Sequence, residues 1–473
     1  MIEVTCGQVA AIVGGTLHGV SKAAEDLQIR SVAVDSRDAS PGSLFVAIAG
    51  AKVDGHDYAA AAVQAGAIVV LSARELPLPC IVVADPVQAL GQLAHWVRRQ
   101  RLSATVVAIT GSSGKTSTKD MVAAVLRTAG PTVSAPGSFN TEVGVPLTIL
   151  SAESSTRFLV LEMGMRGAGH IEYLCKIAEP DVAVIVNVGS AHVGMLGSIE
   201  AIANAKGEIV ATLGEHGIAV LNGDDPRVLG QASRTSARVV TFGTGSACQI
   251  RATDLRTDSQ ARASFTLHAS EPVGAVPLTL RYPGEHFVSN ALAAAAVGLS
   301  CGLSLDAVAT ALRAAEPDSP MRMQIHQERR GITVINDAYN ANPESMVAAL
   351  RTLALMAAGR RSWAVLGEMR ELGAGSRQAH LDIGRLAAEL GISRLVGVGE
   401  QADALLDGAI AVTGWSGRAQ AVPDVAAATA LLREGLLADD IVLIKASRSI
   451  GLDAVVAQVF AEPVHLDSDL PLT

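Results

Sequence analysis

The chain has 473 residues, too many for one ordinary core, so about three domains are expected. It is 49% hydrophobic, 18% charged and only 3% aromatic, which excludes a disordered chain and predicts cores of Ala, Val, Leu and Ile. A formal charge of -9 argues against a nucleic-acid or anionic-membrane surface but leaves room for a local phosphate site. Five scattered cysteines (Cys6, Cys80, Cys175, Cys248, Cys301) form no CxxC pair. Neither a disulfide framework nor structural zinc is expected, and a reducing compartment is. No apolar export segment opens the sequence, so a cytoplasmic protein is expected. The longest greasy stretch, 291–300, is short of the roughly 18 residues that span a bilayer and reads as a buried helix.

In chain order, short β-rich runs punctuated by glycine alternate with Ala/Leu helical stretches, the pattern of α/β architecture. The first region predicts strands at 43–48, 67–71 and 81–83. Asp85-Pro86 then opens a helix to about residue 101, which places a boundary near Ala84. The middle region carries three nearly continuous Val/Ile/Leu runs, at 105–110, 158–163 and 182–188, expected as parallel strands covered on both faces. Pro317-Asp318-Ser319-Pro320 reads as a linker and places a second boundary near Asp318. Beyond it the pattern predicts a strand at 332–335, a helix from Pro343 to about 358, and strands at 363–366, 394–398 and 441–444. That is a second doubly wound unit, small enough to close as a lid. The units are therefore 1–84, 85–318 and 319–473.

Thr110-Gly111-Ser112-Ser113-Gly114-Lys115-Thr116-Ser117 sits between a strand and a helix predicted over 119–127. Glycines let backbone amides approach a polyphosphate, and the helix N-terminus adds partial positive charge. Lys115 offers a cation for the β- and γ-phosphates, and Thr116 a hydroxyl for Mg2+. The general GxxxxGK[ST] pattern fails, because Ile109 stands where its first glycine would be. Ligands of open parallel sheets gather beyond the carboxyl ends of the strands. Glu162 ends the second run and His192 follows the third, so with Lys115 three capable side chains come from three strand ends. A carboxylate and an imidazole there suit a divalent cation bridging phosphates, although His is a less usual Mg2+ ligand. Lys206 lies on a helix that Ser198 can cap and Gly214 can end, and by residue type alone it reads as part of a solvated face.

The loop, Glu162, the His192 to Lys206 spacing and Gly284-Glu285-His286 followed by Asn290 resemble the Mur ligase family of peptidoglycan synthesis. The resemblance covers essentially the whole chain, and the shortened GxxGK[TS] loop is that family's rule. Asp337-Ala338-Tyr339-Asn340-Ala341-Asn342-Pro343, the Gly-Glu-Met-Arg-Glu-Leu-Gly segment at 367–373 and Lys445-Ala446-Ser447-Arg448-Ser449 are similar to the members that add a dipeptide. Asp35-Ser36-Arg37 and Asp54-Gly55-His56 resemble the family's uridine-nucleotide-binding domain.

The resemblance implies an α/β protein of three domains. These are a small N-terminal uridine-nucleotide-binding domain, a central P-loop-type parallel sheet with helices on both faces, and a C-terminal Rossmann-like domain. The last would close over ATP and bind the incoming dipeptide. The resemblance further implies ATP-driven amide ligation through an acyl phosphate, with UDP-N-acetylmuramoyl-tripeptide and D-alanyl-D-alanine as partners. Two Mg2+ ions and a monomer without membrane insertion are implied as well. By position, Lys115, Glu162, His192 and Lys206 would be catalytic. Gly111, Ser112, Ser113, Gly114, Lys115, Thr116, Ser117, Asn140, His286, Asn290, Arg322 and Asp337 would hold ATP. Thr116, Glu162, His192 and Lys206, as N6-carboxylysine, would serve the metals. Ser36, Arg37, Asp54, His56, Tyr339, Asn340, Ser447 and Arg448 would bind substrate.

Overall fold

The structure is a computed structural model and describes residues 4–50, 52–191 and 193–460. Among these residues the strands form four sheets. A two-stranded ladder pairs Val4–Thr5 with Gln28–Ile29. The first unit's five-stranded sheet runs Thr16–His18, Cys80–Val82, Ala67–Ser72, Ser43–Val46, Ser31–Ala33, and only its first pair is antiparallel. Asp85 then caps the helix Pro86–Arg101, its Oδ1 accepting from Val87 N at 2.8 Å.

The central sheet has nine strands. Thr105–Thr110 lies at its heart, parallel to Phe158–Glu162 on one side and to Val182–Ile185 on the other. Val107 and Ile109 enter one apolar cluster and Val106 and Ala108 the opposite one, so both faces are dry. That double burial is why the run is apolar from Val106 to Ile109. The third predicted run stops as a strand at Ile185 rather than at residue 188. The reason is chemical: Asn187 and the residues after it leave the ladder to hold the phosphate loop, as described below.

The outer part of this sheet lay outside the sequence expectations. Ile218–Asn222 and Arg238–Gly243 continue the parallel order, and Ile250–Thr257, Arg262–Ser270 and Val273–Pro283 extend it as an antiparallel meander. Arg262–Ser270 alternates buried and less buried residues along its whole length. Such a half-covered strand offers alternation, not a continuous apolar run, which is a weaker signal.

The third unit carries a six-stranded sheet in the order Gln324–Gln327, Thr333–Asn336, Ile441–Lys445, Ser362–Gly367, Arg394–Val398, Arg418–Val422. All its pairs except the first are parallel. The helix Phe287–Ser300 is buried on all sides over Asn290–Gly298 and lies against Lys115–Arg127. Its small residues permit the close approach. A Cβ at Gly298 would stand 2.6 Å from Val125 Cγ1. The same cluster runs on to Met346, Leu350 and Leu353 of the third unit's helix Pro343–Ala357, so the two units share a dry seam. No helix among the described residues is long and apolar enough to cross a membrane.

Leu292 is wholly buried in this seam. Leu292→Ala should lower the unfolding free energy by about 2–5 kcal/mol through lost transfer energy and a residual cavity. Val273→Thr, at a residue 91% exposed, should change it by less than about 0.5 kcal/mol. Denaturant titration of both variants checks the pair, and equal losses would refute the core assignment.

Candidate active site

The phosphate loop leaves the strand Thr105–Thr110 at Gly111 and enters its helix at Lys115, four residues earlier than predicted. Gly114 takes φ 74°, and a Cβ there would come within 2.8 Å of Asn290 Oδ1. Only glycine meets both demands cheaply. The loop is held from the neighbouring strand end. Ser112 N donates to Asn187 O (3.1 Å), Ser113 N to Asn187 Oδ1 (2.9 Å), and Gly189 N to Ser112 Oγ (2.8 Å). Lys115 Nζ donates to Gly111 O at 2.8 Å across the mouth of the loop. Burial lowers its pKa, the Glu162 carboxylate opposes that shift, and the Arg322 guanidinium adds to it.

At the same mouth Thr116 Oγ1 donates to Glu162 Oε2 (2.8 Å), while Asn140 Nδ2 donates to Glu162 Oε1 (2.7 Å). Arg322 arrives from beyond the 317–320 linker, its Nη2 donating to Thr116 Oγ1 and to Ser138 Oγ, each at 3.2 Å. Its guanidinium stacks over Tyr339, 4.1 Å from the ring centroid. Arg322 Nε is buried without a hydrogen-bond partner, an unspent donor at the site.

The hydroxyl and carboxylate of Thr116 and Glu162 are the oxygen pair a hard cation favours. Among the described residues no three or more His, Cys, Asp or Glu gather as a metal cage. A cation here would therefore draw much of its shell from phosphate oxygens and water, the usual habit of Mg2+.

Lys206 departs from the solvated face its residue type suggested. It is 1% exposed, on the helix Ile199–Ala211, which Ser198 Oγ caps by accepting from Ala201 N. Burial pushes its pKa well below the ordinary value, and the Lys115 charge adds to the shift. The helix ends with Thr212 as its cap, two residues before the expected Gly214. His192 lies outside the described residues.

A second buried cluster closes the far side. Asp337 Oδ1 accepts from Met323 N (3.1 Å), and its Oδ2 accepts from Lys445 Nζ (2.5 Å), which also donates to Asn340 O (2.9 Å). His286 lies close enough to feel both charges. Burial pulls its pKa down to about 4, with Asp337 opposing and Lys445 reinforcing. The ring is therefore neutral at pH 7.

These groups line one cavity of about 580 Å³ between the second and third units. Lys115, Thr116, Asn140, Glu162, His286, Asn290, Arg322, Asp337, Tyr339 and Asn340 all face it; Gly111 and Lys206 are not in its wall. Ser447 and Arg448 are not in the wall either. Ser447 Oγ accepts from Arg370 N (2.9 Å), and Arg448 pairs with Asp453 (3.0 Å). In the first unit, His56 lines a separate cavity of about 1040 Å³ that reaches the helix Pro86–Arg101. Its Nδ1 bonds Asp54 Oδ1 (2.5 Å) and its Nε2 accepts from Ala73 N (3.1 Å). Ser36, Arg37 and Asp54 face neither cavity, and Arg37 pairs with Asp35 on the surface.

Sequence reasoning passed over Ser138, Asn187 and Lys445 as site residues. The Lys-Ala-Ser-Arg-Ser segment was a signal for Lys445. Nothing local marked Asn187, whose partners lie 74 residues away.

Residues 28–100 match the family description "Mur ligase family, catalytic domain", 109–298 "Mur ligase middle domain" and 321–448 "Mur ligase, glutamate ligase domain". The chain is similar to the UDP-N-acetylmuramoyl-tripeptide--D-alanyl-D-alanine ligase of Mycobacterium tuberculosis, at 46% identity over 98% of this chain and 98% of that one. It is also similar in structure to UDP-N-acetylmuramoylalanyl-D-glutamyl-2,6-diaminopimelate--D-alanyl-D-alanyl ligase from Acinetobacter baumannii. That match has TM-score 0.83 and 32% identity and covers 97% and 98% of the two chains. The MurF ligase of Thermotoga maritima, solved in complex with ADP, matches with TM-score 0.77 and 28% identity over 91% of this chain and 97% of that one.

The neutral His286 carries a pH signature. Its folded pKa lies below its unfolded value of 6.5, so its contribution is complete above pH 6.5 and is lost as pH falls toward 4. Replacing it with Asn should remove up to about 3 kcal/mol of the acid-induced loss of stability between those values. Urea unfolding of both proteins at pH 7 and pH 4 tests this; parallel losses would show that His286 titrates normally.

Proposed function

This chain belongs to the Mur ligase family, and from that premise we propose that it joins D-alanyl-D-alanine to a UDP-N-acetylmuramoyl-tripeptide at the expense of ATP. The product would be the pentapeptide precursor of the cell wall. The observation that carries this reading is the mouth of the phosphate loop. There a lysine, a threonine hydroxyl bonded to a carboxylate, and an arginine from the third unit meet on one cavity wall.

The chemistry follows from charge. A peptide carboxylate approaching a γ-phosphoryl group meets another anion, so positive groups must be in place before the two can touch. Lys115 is poised to exchange its bond to Gly111 O for phosphate oxygens, whose charge restores the full ammonium that burial disfavours. Arg322 brings its unspent Nε and a fork of donors to the same point from across the linker. The helix beginning at Lys115 leaves its first amides free to receive phosphate oxygens. Bound Mg2+, held by Thr116 and Glu162, would supply charge neutralisation along the phosphates.

The carboxylate oxygen bonds to the γ-phosphorus as the bond to ADP breaks, giving an acyl phosphate. The dipeptide amine then attacks the acyl carbon, and phosphate and one proton leave. Water would hydrolyse the acyl phosphate, which makes closure of the third unit useful. Closure is supported by Asn342 Nδ2 donating to Ser112 O (3.3 Å) and by Ser190 N donating to Glu344 Oε1 (2.7 Å). On this reading residues 1–84 take the uridine nucleotide, 85–318 the ATP, and 319–473 the dipeptide. The five free thiols suit a reducing, cytoplasmic compartment.

Lys206 fits carbamylation. Carbon dioxide adds only to a neutral amine, and burial beside Lys115 favours that form. The product exchanges a cation for an anion whose oxygens could hold a second Mg2+.

Phosphate release should require ATP, the nucleotide-linked tripeptide and D-alanyl-D-alanine together. Release that ignores the dipeptide would sink the assignment. Lys115→Ala should cut turnover roughly a hundred- to a thousandfold while leaving binding of the uridine substrate intact, as titration calorimetry would report. Lys206→Ala should lose most activity and recover part of it with added formate or acetate. Isotope-labelled bicarbonate should give a carbamate NMR signal in the wild type that the variant lacks; an unlabelled, fully active wild type would rule the modification out.

A further inference from the structure

The two cavities meet at a neck that none of the chemistry above uses. Arg166 and His170 belong to the walls of both, and Glu142 joins them from the loop that carries Asn140. Arg166 Nη1 donates to Glu142 Oε1 (2.9 Å), and His170 Nε2 bonds Glu142 Oε2 (3.1 Å). His170 Nδ1 accepts from Arg166 N (3.1 Å), which leaves Nε2 to carry the ring proton toward Glu142. The frame is stiff. Gly164 N donates to Asn140 O (2.8 Å), and Glu208, two residues beyond Lys206, accepts from Gly169 N (2.7 Å) and Glu172 N (3.1 Å) at the start of the His170 helix. Burial works to raise the Glu142 carboxyl, but a backbone hydrogen bond and the Arg166 charge outweigh it and keep the group ionised.

This neck has an unspent capacity. Arg166 has five N–H donors and spends one side-chain donor, on Glu142, with its side chain 67% exposed toward the cavities. With Arg166, His170 and a backbone amide on its oxygens, the Glu142 carboxylate keeps acceptor capacity for a further donor. The pair is neutral overall, with a fork of donors beside a carboxylate, and its complement is a zwitterion carrying a carboxylate and an ammonium on one carbon. On the function proposed above, the tripeptide must pass from the uridine-side cavity to the phosphate loop through this neck. Its terminal carboxylate reacts at Lys115 and Thr116, which leaves the side chain of its third residue at the neck. The Acinetobacter relative's name gives that residue as 2,6-diaminopimelate, whose side chain ends in such a zwitterion.

We propose that Arg166 and Glu142 read the side-chain head of the tripeptide's third residue, the guanidinium taking a diaminopimelyl carboxylate and the Glu142 carboxylate its ammonium. A lysyl residue at that place offers the ammonium alone. Arg166 is thus a specificity-determining residue for diaminopimelyl over lysyl peptides, and Glu142 serves both.

The test measures kcat/KM of the full-length enzyme for the two nucleotide-linked tripeptides, ending in diaminopimelate or in lysine. Wild type should favour the diaminopimelyl substrate by at least about tenfold. Arg166→Gln should lower kcat/KM for that substrate by at least about tenfold, chiefly through KM, and change the lysyl value less than about threefold. Arg166→Lys should restore part of the preference. Glu142→Gln should weaken both substrates alike. KM for ATP and for D-alanyl-D-alanine should not move, which also reports that the variants fold. Equal use of both tripeptides by the wild type, or an equal loss on both in Arg166→Gln, overturns the proposal while leaving the ligase reading intact. Failure of the wild type to ligate either tripeptide overturns the ligase reading itself.

Discussion

A loop that lends its amides to a polyphosphate has no regular secondary structure to hold it in shape, so its rigidity must come from elsewhere. Here it comes from the adjacent strand end. Asn187 takes the Ser112 amide on its carbonyl and the Ser113 amide on its side chain, and its own Nδ2 returns to Ser113. Gly189 completes the clamp through Ser112 Oγ. The cost is visible in the sheet, since the strand Val182–Ile185 gives up residues that its hydrophobicity would have allowed it to keep. With the loop fixed, Lys115, Thr116 and the start of the helix are fixed, and Glu162 and Asn140 have a hydroxyl to organise around.

The second constraint is the handling of buried positive charge. Lys206 and Lys445 are buried and Lys115 is half-buried, and loss of solvent presses each toward the neutral amine. Lys445 resists through Asp337 and the Asn340 carbonyl. Lys115 has Glu162 nearby and a loop carbonyl as a temporary partner. Lys206 has no carboxylate among the groups that shift it, and Lys115 only repels its charge. A buried amine pressed toward its neutral form beside the phosphate loop is costly to retain for packing alone.

The third unit is coupled to this site at both ends of the linker. Asp120, on the phosphate-loop helix, accepts from Ser319 N (3.2 Å) and pairs with Lys119. Three residues farther on, Arg322 reaches Thr116. The linker is therefore anchored to the helix that begins at the candidate phosphate loop, and the dry seam from Leu292 to Leu350 keeps the units in register. Nucleotide contacts and domain position are linked through a few residues rather than through the sheet.

Much of this is local, and what is local was legible in the sequence. A strand covered on both faces must be apolar throughout, so the runs at 105–110 and 158–163 announced themselves, and Glu162 stood out as the polar residue that ends one. Asp85 and Ser198 marked helix starts, because a capping oxygen needs only the next three residues. The glycine-lysine-threonine loop is a chemical device contained in eight residues. Nothing local distinguishes Asn187 or Ser138 from ordinary polar residues, since their partners are distant in the chain, and Lys445 was marked only by the segment it opens. The alternating strands at 250–283 gave only a weak signal, and Ser447 and Arg448, though near Lys445 in sequence, are not in the cavity wall, Arg448 lying over Tyr339 at 5.9 Å from its ring centroid. The sharpest case is Lys206. Its residue type alone suggests a solvated face, and only the packing of its helix against the central sheet makes it a dry amine. Burial, and the charge state that follows from it, is a property of the whole fold, because it depends on what distant segments of chain place around one side chain.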